Sequence, residues 1–488
     1  MFSENSETSQ TILDQLVKEL GSLLYTCDLY FDSRHVSTNS IFCAYPGVSV
    51  DGRDFIPEAI KKGAKFILWE KGIDFNYPIP NKGIHNLKHY VGLLASIKHN
   101  NHLEKVIGVT GTNGKTSIAT WISQVYTINA KKAGIIGTTG AGVYPDTTYN
   151  NATTPDPLKL QQLICDFTKK NIDVLTMEVS SHSLHQGRVN GIKYTTAIFT
   201  NLTLDHLDYH HDMESYYQAK RDLFFWHDLT NAIINIDDEY GKRLFEELQD
   251  RGLRLIDYGI NNGTLRASDI IIDLSGMKFN LSYNNEVVLT KVSVIGLFNI
   301  YNILAVAGAL IVDGYSLTQI SFLLNKITPV CGRMDMVSVV GQPLVVVDFS
   351  HTPDSLLNAL NTLKAVENIG KLYCVFGCGG NRDSSKRSIM GNLASKIADY
   401  VIVTSDNPRF EDPDEIIKQI ASGIKNDNFI LIQDRASAIE YAIKIAQLGD
   451  VILIAGKGHE TYQEINGVKS PFSDFDVANK CLTSKILG

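Results

Sequence analysis

The strand-like run Val106–Thr110 followed by Gly111-Thr112-Asn113-Gly114-Lys115-Thr116 constrains this chain more than any other feature. The apolar run reads as a buried strand, the glycines as a tight turn, and the stretch from Lys115 onward as a helix. A strand that passes through a glycine turn into a helix N-terminus is the geometry of a phosphate-binding loop. Its backbone N–H groups face an anion, and the helix end adds partial positive charge. In this reading Lys115 reaches the terminal phosphates and Thr116 binds magnesium. The usual spacing wants a glycine where Val109 stands, and Gly108 is one residue off.

The surroundings agree with an α/β architecture. Further strands are expected at 174–177, 197–200 and 232–236 with helical patterns between them, so the middle of the chain reads as a doubly wound, mostly parallel sheet. The segment 270–294 alternates apolar and polar residues, as an antiparallel extension would. The last third repeats the rhythm, with strands at Leu372–Phe376, 400–404, 429–432 and Val451–Ala455. Helices are expected there at Lys386–Ile397, 413–422 and 436–447, which makes a Rossmann-like domain. In the first hundred residues, Ile12, Leu13, Leu16, Val17 and Leu20 recur at helical spacing and stop at Gly21. Strand-like runs follow at Ser40–Ala44 and 65–69. The run 81–103 is polar and His/Asn-rich, which puts a domain boundary near 102. With 488 residues, three domains are expected: 1–102, 103–332 and 333–488.

Hydrophobic residues make up 44% and charged residues 20%, with a net charge of −8. That balance argues against a broad nucleic-acid or anionic-membrane surface. No basic-then-apolar leader and no bilayer-length apolar run is present, so membrane insertion is not expected. The seven cysteines are odd in number and widely spread, which fits reduced thiols and a cytoplasmic location. Cys374 and Cys378 lack the second pair that a zinc site wants. A monomer is expected.

Two more segments carry chemistry. Met177-Glu178-Val179-Ser180-Ser181-His182 puts a carboxylate at the end of an apolar strand, and Asn201-Leu202-Thr203-Leu204-Asp205-His206-Leu207-Asp208 follows another strand. Ligands gather at strand C-termini in such sheets. Glu178 and His206 converging on the phosphate loop could hold magnesium between phosphate oxygens and an acceptor. His182 alone is more often a core or capping histidine. No Asn-Lys-x-Asp guanine motif is present.

These motifs, with Asn299 and Asn302, Gly332-Arg333, Asp348 and His351, and Asp406–Arg409 following in order, resemble the Mur ligase family over nearly the whole chain. The resemblance implies an N-terminal domain for a UDP group, a central ATPase and a C-terminal domain for an incoming amino acid. It also implies a carboxylate activated as an acyl phosphate and displaced by an amine. On it, Lys115 and Thr116 match the phosphate and magnesium contacts, and Glu178 and His206 match ligands of a second magnesium. Lys220 matches a lysine that the family carbamylates. Gly111, Thr112, Asn113 and Gly114 cradle ATP, while Asn302, Arg333 and Asp348 match its base, phosphate and ribose contacts. Ser33 matches a UDP contact. Thr153, Thr154, Ser180, Gln186 and Arg188 match contacts to a UDP-N-acetylmuramoyl-L-alanyl-D-glutamate substrate.

The family's third-residue ligases divide mainly between meso-diaminopimelate and L-lysine. Asp406-Asn407-Pro408-Arg409 resembles the diaminopimelate motif, and Arg409 with Arg382 can pair with a distal carboxylate that lysine lacks. Gly456 and Glu460 resemble contacts to the distal ammonium and carboxylate. Three positions depart from the family pattern: Asn381 where Asp is more frequent, Phe349-Ser350 where Tyr-Ala is common, and Asp335 where Glu is common. The alternatives are the same reaction with L-lysine, a folylpolyglutamate synthetase sharing the central ATPase, and a nucleotide switch that makes no bond. The region around Asp32-Ser33-Arg34 opposes the second, and Glu178, His206 and Lys220 together oppose the third.

Overall fold

Three successive segments, 28–84, 106–292 and 335–455, each contribute one main β-sheet to the computed structural model, which describes residues 6–47, 50–148, 152–273, 275–366 and 369–487. Residues 1–5 of the polar N-terminus and residue 274 of the alternating segment lie outside the described residues. The first sheet is wholly parallel, in the order Asp28–Tyr30, Ser40–Ala44, Ala64–Glu70, Asn81–Ile84. The helix Ser6–Leu20 closes it with Leu13, Leu16 and Leu20 inward, which is the spacing read from the sequence. Ahead of the boundary expected near 102, the run 81–103 holds the strand Asn81–Ile84 and the helix Leu87–His99, which its polar composition did not suggest. That helix buries Tyr90, Val91, Leu94 and Ala95, while His89 meets Asn190 at the seam with the central unit and Lys98 donates to Cys27 O. The histidines and lysines interspersed along the run mask this apolar face when composition alone is read.

The central sheet has eleven strands. Its parallel middle runs Arg254–Gly259, Asn231–Asn235, Thr196–Phe199, Val106–Thr110, Val174–Glu178, Ala133–Gly137. The strand of the phosphate loop is therefore flanked on both sides, and every residue of it is buried. Both faces are covered. Helices Lys115–Ile128 and Leu297–Val312 fill one core, and helix Pro157–Lys169 contributes to the other. This double burial is why the strands read as continuous apolar runs. Toward the edges the pairing turns antiparallel: Leu265–Asp273, itself parallel to Arg254–Gly259, pairs with Gly276–Tyr283 and that with Glu286–Val292 on one side, and Gly140–Val143 and Asp146–Thr148 follow on the other. The first edge was legible in the sequence and the second was not, because glycine-rich Gly140–Val143 carries no apolar alternation.

The third sheet runs Asp335–Val337, Leu344–Asp348, Val451–Ala455, Leu372–Phe376, Tyr400–Val403, Phe429–Leu431, parallel except at its first strand. The N-terminal unit packs helix Leu87–His99 on helix Pro157–Lys169 of the central unit. A Cβ on Gly92 would lie 2.4 Å from Asn190 O, so only glycine permits that approach. Ser96 Oγ donates to Gly191 O at 3.0 Å across the same seam. No helix among the described residues is long and apolar enough to cross a membrane.

The C-terminal unit is stapled by a buried ion pair. Arg435 donates to both carboxylate oxygens of Asp474 at 2.7 Å, and both side chains are 0% exposed. The same guanidinium donates to Ser405 O and Ala455 O, at the ends of two parallel strands. Removing one partner leaves a desolvated charge. Asp474→Asn or Arg435→Met should therefore destabilise the protein by about 3–5 kcal/mol, whereas replacing both by apolar residues should recover part of the loss. Chemical denaturation of the three variants checks this.

Candidate active site

The phosphate loop is held by its neighbours before any ligand is considered. Gly111 and Gly114 have φ of 143° and 88°, and a Cβ on them would sit 1.8 Å from Thr200 Oγ1 and 2.3 Å from Asn302 Oδ1. Neither position admits another residue. Thr112 N–H donates to Asn201 O and Asn113 N–H to Asn201 Oδ1, both at 2.9 Å. Asn201 thus fixes the loop from the adjacent strand end, which is the role its motif leaves open in the sequence. Thr112 Oγ1 lies 3.3 Å from the Tyr216 hydroxyl.

Two lysines meet at one oxygen. Lys115 Nζ donates to Gly111 O at 2.9 Å and Lys220 Nζ donates to the same atom at 2.8 Å. Lys220 is 1% exposed and its ammonium lies 4.6 Å from the Tyr216 ring centroid. Burial, and then repulsion from Lys115, pushes the Lys220 amine well below the ordinary lysine range. A lysine in that state offers a neutral amine, the form that can add to carbon dioxide.

Thr116, Glu178 and Arg333 form a second junction. Thr116 Oγ1 donates to Glu178 Oε2 at 3.0 Å and accepts from Arg333 Nη2 at 3.1 Å. Glu178 is 1% exposed and also accepts from the backbone N–H of Thr138 at 2.7 Å. Arg333 lies over the Phe349 ring at 4.5 Å and keeps a buried Nε without a partner. Asp348 accepts from Met334 N and Ser350 N at 2.8 Å, and burial raises its pKa. Asn302 donates to Asn299 Oδ1 at 3.0 Å. Asn113 Nδ2 donates to Asp354 Oδ2 at 3.0 Å, so the C-terminal unit touches the loop through both Arg333 and Asp354.

Glu178 and His206 do not touch each other. His206 has φ 56° and precedes a short helix, with its ring 4.8 Å from His182 and its Nε2 3.4 Å from Asp205 Oδ2. His182, in turn, lies 5.4 Å from His210, whose Nε2 is 2.9 Å from Ser181 Oγ. Burial pushes His182, His206 and His210 down to about 4. No group of three His, Cys, Asp or Glu side chains capable of holding a metal occurs among the described residues. Thr116 and Glu178, however, present adjacent hard oxygens of the kind magnesium prefers.

The expected muramoyl-peptide contacts form one connected patch. Thr154 Oγ1 donates to Glu178 O at 2.9 Å, and Ser180 N–H donates to Thr154 Oγ1 at 3.2 Å. Arg188 donates to Gln186 Oε1 at 2.8 Å and to Thr154 O at 3.2 Å. Thr153 joins through Thr138 Oγ1 at 3.1 Å. Ser33 lies apart in the N-terminal unit, where its buried hydroxyl donates to Glu58 Oε2 at 2.8 Å.

The amino-acid residues gather at strand ends of the third sheet. Arg409 has φ 52° and donates to Gly380 O at 2.7 Å, with Nε 3.7 Å from Glu464 Oε2. The exposed Arg382 flanks Gly379 together with Arg409: a Cβ there would lie 3.0 Å from Arg409 Nη1 and 3.9 Å from Arg382 Cγ. Asn407 Nδ2 donates to Glu460 Oε2 at 2.8 Å. Gly456 has φ 117° and leaves room for Asp406, whose Oδ2 lies 2.5 Å from where a Cβ would be. Pro408 O accepts from Glu411 N at 3.0 Å and closes the turn. Sequence reasoning missed Thr138, Asp354, Lys457 and His459. For Lys457 and His459 the flanking glycines of Gly456-Lys457-Gly458-His459 were the available signal.

The histidines make a pH prediction. Neutral imidazole is favoured in the fold, so stability is full above about pH 6.5 and falls as pH drops from there toward 4. In chelator and without nucleotide, His210→Gln should make that acid slope shallower by up to one proton, ~1.4 kcal/mol per pH unit. Denaturation midpoints across this pH range test it, and an unchanged slope would contradict a neutral buried His210.

Comparison with known proteins follows the same three units. Residues 29–98 match the Mur ligase family catalytic domain, 109–310 the Mur ligase middle domain, and 332–458 the Mur ligase glutamate ligase domain. A UDP-N-acetylmuramoyl-L-alanyl-D-glutamate–2,6-diaminopimelate ligase of Chromobacterium violaceum is 44% identical over 93% of both chains. One from Neisseria meningitidis serogroup B is 42% identical over 99% of this chain and 100% of its own. A solved structure bearing the same enzyme name is 34% identical, covers 95% of both chains and superposes with a TM-score of 0.69. The MurF ligase of Thermotoga maritima in complex with ADP shares the fold at 20% identity and a TM-score of 0.66, covering 95% of this chain and 99% of its own. The chain belongs to the Mur ligase family.

Proposed function

We propose that this protein is an ATP-dependent acid–amino-acid ligase that adds meso-2,6-diaminopimelate to the D-glutamate γ-carboxylate of UDP-N-acetylmuramoyl-L-alanyl-D-glutamate, releasing ADP and phosphate during peptidoglycan synthesis. The convergence on Thr116 of the phosphate loop, Glu178 and Arg333 is the observation that carries this reading. It supports ATP phosphates lying beside the patch of Thr154, Ser180, Gln186 and Arg188, where the acceptor carboxylate would lie. The divisions near 102 and 332 separate binding of UDP, ATP and amino acid. A cytoplasmic, monomeric enzyme suits substrates of this kind.

Carboxylates are poor acyl donors, so the γ-carboxylate first attacks the ATP γ-phosphorus to give an acyl phosphate and ADP. The amine of the incoming amino acid then displaces phosphate. The protein positions charge for both steps. Lys115 and Arg333 compensate the phosphate oxygens, and Asn302 and Asp348 serve base and ribose. Thr116, Glu178 and His206 would hold magnesium, which neutralises phosphate charge when bound. Carbamylation of Lys220 would set an anion beside Lys115 in place of the lysine's amine. Arg188 holds an anionic part of the substrate by paired hydrogen bonds.

Arg409, with Arg382, supports the choice of diaminopimelate over L-lysine. Lysine brings no distal carboxylate and would leave Arg409 without its ligand partner, at a cost of about 1–3 kcal/mol. Phosphate release with the UDP-muramoyl dipeptide and a panel of amino acids should favour meso-diaminopimelate over L-lysine by about 5- to 150-fold, the factor that a loss of about 1–3 kcal/mol implies. Arg409→Ala should raise the KM for diaminopimelate sharply while acyl-phosphate formation survives. Arg409→Lys should not restore it, since lysine lacks the planar fork. A preference for L-lysine, or an Arg409→Ala variant that uses diaminopimelate normally, defeats this assignment.

Lys220→Ala should be nearly inactive in the same assay and partly rescued by short carboxylic acids. Full activity without rescue would show that no carbamate is needed.

A further inference from the structure

Lys457 is a buried cation that the proposed mechanism does not use. It is 0% exposed, and its Nζ donates to Asn407 Oδ1 and to Glu460 Oε2, each at 3.0 Å. Asn407 Nδ2 donates to the same Glu460 oxygen at 2.8 Å, which closes a three-membered ring of hydrogen bonds. Asn407 Oδ1 also accepts from Glu464 N at 3.0 Å, so both ends of the amide are committed. The Tyr462 ring lies 5.5 Å from the ammonium.

This ring has a directional consequence. Glu460 Oε2 is saturated by Lys457 and Asn407, and its Oε1 takes no hydrogen bond among the described residues. The carboxylate is 18% exposed, so the free oxygen is the one available to a ligand. A glutamate on a flexible stem loses rotamer freedom when it binds, and the buried ammonium removes that loss beforehand. The two sides of the site then differ. Arg382 and Arg409 offer donors, and Glu460 offers an acceptor oriented by Lys457.

We infer that Lys457 is a positioning residue for amino-acid selection, holding Glu460 so that its Oε1 receives the distal ammonium of the incoming diamino acid. The inference rests on the diaminopimelate reading above. Lys457 itself touches no substrate and acts through Glu460.

The test compares meso-diaminopimelate with 2-aminopimelate, which keeps the distal carboxylate and lacks the distal ammonium. In Lys457→Met the kcat/KM ratio of the two should shrink by about 10-fold or more, because only diaminopimelate loses an oriented partner. The KM values for ATP and the UDP-muramoyl dipeptide should stay within about 2-fold of the parent's. Lys457→Arg, which keeps the charge, should hold the ratio closer to the parent's. Lys457→Gln, uncharged and near in length, repeats the test if the methionine variant does not fold. A general structural role would lower both amino acids together and leave the ratio unmoved, and that result overturns the inference. A parent enzyme that uses diaminopimelate while the variant ratio stays fixed defeats this inference alone. A parent enzyme that ignores diaminopimelate defeats the reading beneath it as well.

Discussion

Two lysine amines donating to the carbonyl of Gly111 set the terms on which the rest of the site is built. Ammonium groups repel, and burial removes the water that would screen them. The fold can keep both only if negative charge is supplied close by or if one of them gives up its proton. Two features follow that need. Glu178 and Asp205 stand near the loop, and Lys220 has its pKa driven down. A tetraanionic nucleotide would meet the first demand, and the carbamate proposed for Lys220 would meet the second. The same electrostatic pressure that makes the site costly without ligand makes phosphate charge welcome within it.

The units are joined where charge is handled. Arg333 follows Gly332 at the start of the third unit, yet its guanidinium reaches Thr116 of the phosphate-loop helix. Thr116 is bonded to Glu178 and Glu178 to Thr138, and His459 lies beside the backbone of Thr138. His459 is next to Glu460 in the chain. A short run of contacts therefore connects the phosphate end of the site to the residue proposed to read the amino acid. Asp354 adds a second bridge through Asn113. Such a layout suits a two-step reaction in which activation and amine attack are served by different units that must meet around one carboxyl carbon.

The sheets and the phosphate loop were legible because their physical signals are local. Val106–Thr110, Leu372–Phe376 and Val451–Ala455 are strands buried on both faces, and burial of that kind requires a short, continuous apolar run, here ended each time by glycine. The helix Leu87–His99 was hidden because lysines and histidines interspersed among its apolar positions made the run read as polar. Contacts that span units could not be read from spacing at all. Nothing in the sequence links Asn113 to Asp354, 241 residues away, or Lys457 to Asn407, 50 residues away. The resemblance to a family supplied candidate roles, while the geometry supplied the partners: Asn201 for the loop, Thr138 for Glu178, and Lys457 for Glu460.

The departures from the family pattern keep the atoms on which the site depends. Asn381 has φ 51°, a left-handed conformation that asparagine tolerates better than most residues. Its Oδ1 accepts from Phe410 N–H at 3.1 Å, and its own N–H donates to Glu411 Oε1. An aspartate would provide the same acceptor but would add a second negative charge beside Glu411, which already pairs with Arg387. The loop that carries Arg382 therefore keeps its shape with asparagine. At 349 the ring is what matters: Arg333 lies over it, and His459 lies 5.3 Å away. Phenylalanine supplies that face as well as tyrosine does. Asp335 reaches Gly332 N–H at 3.2 Å, so the shorter carboxylate still ties the turn that aims Arg333. Each substitution preserves the acceptor or the ring face that the neighbouring arginine depends on, and the arginines are where the site meets its anions.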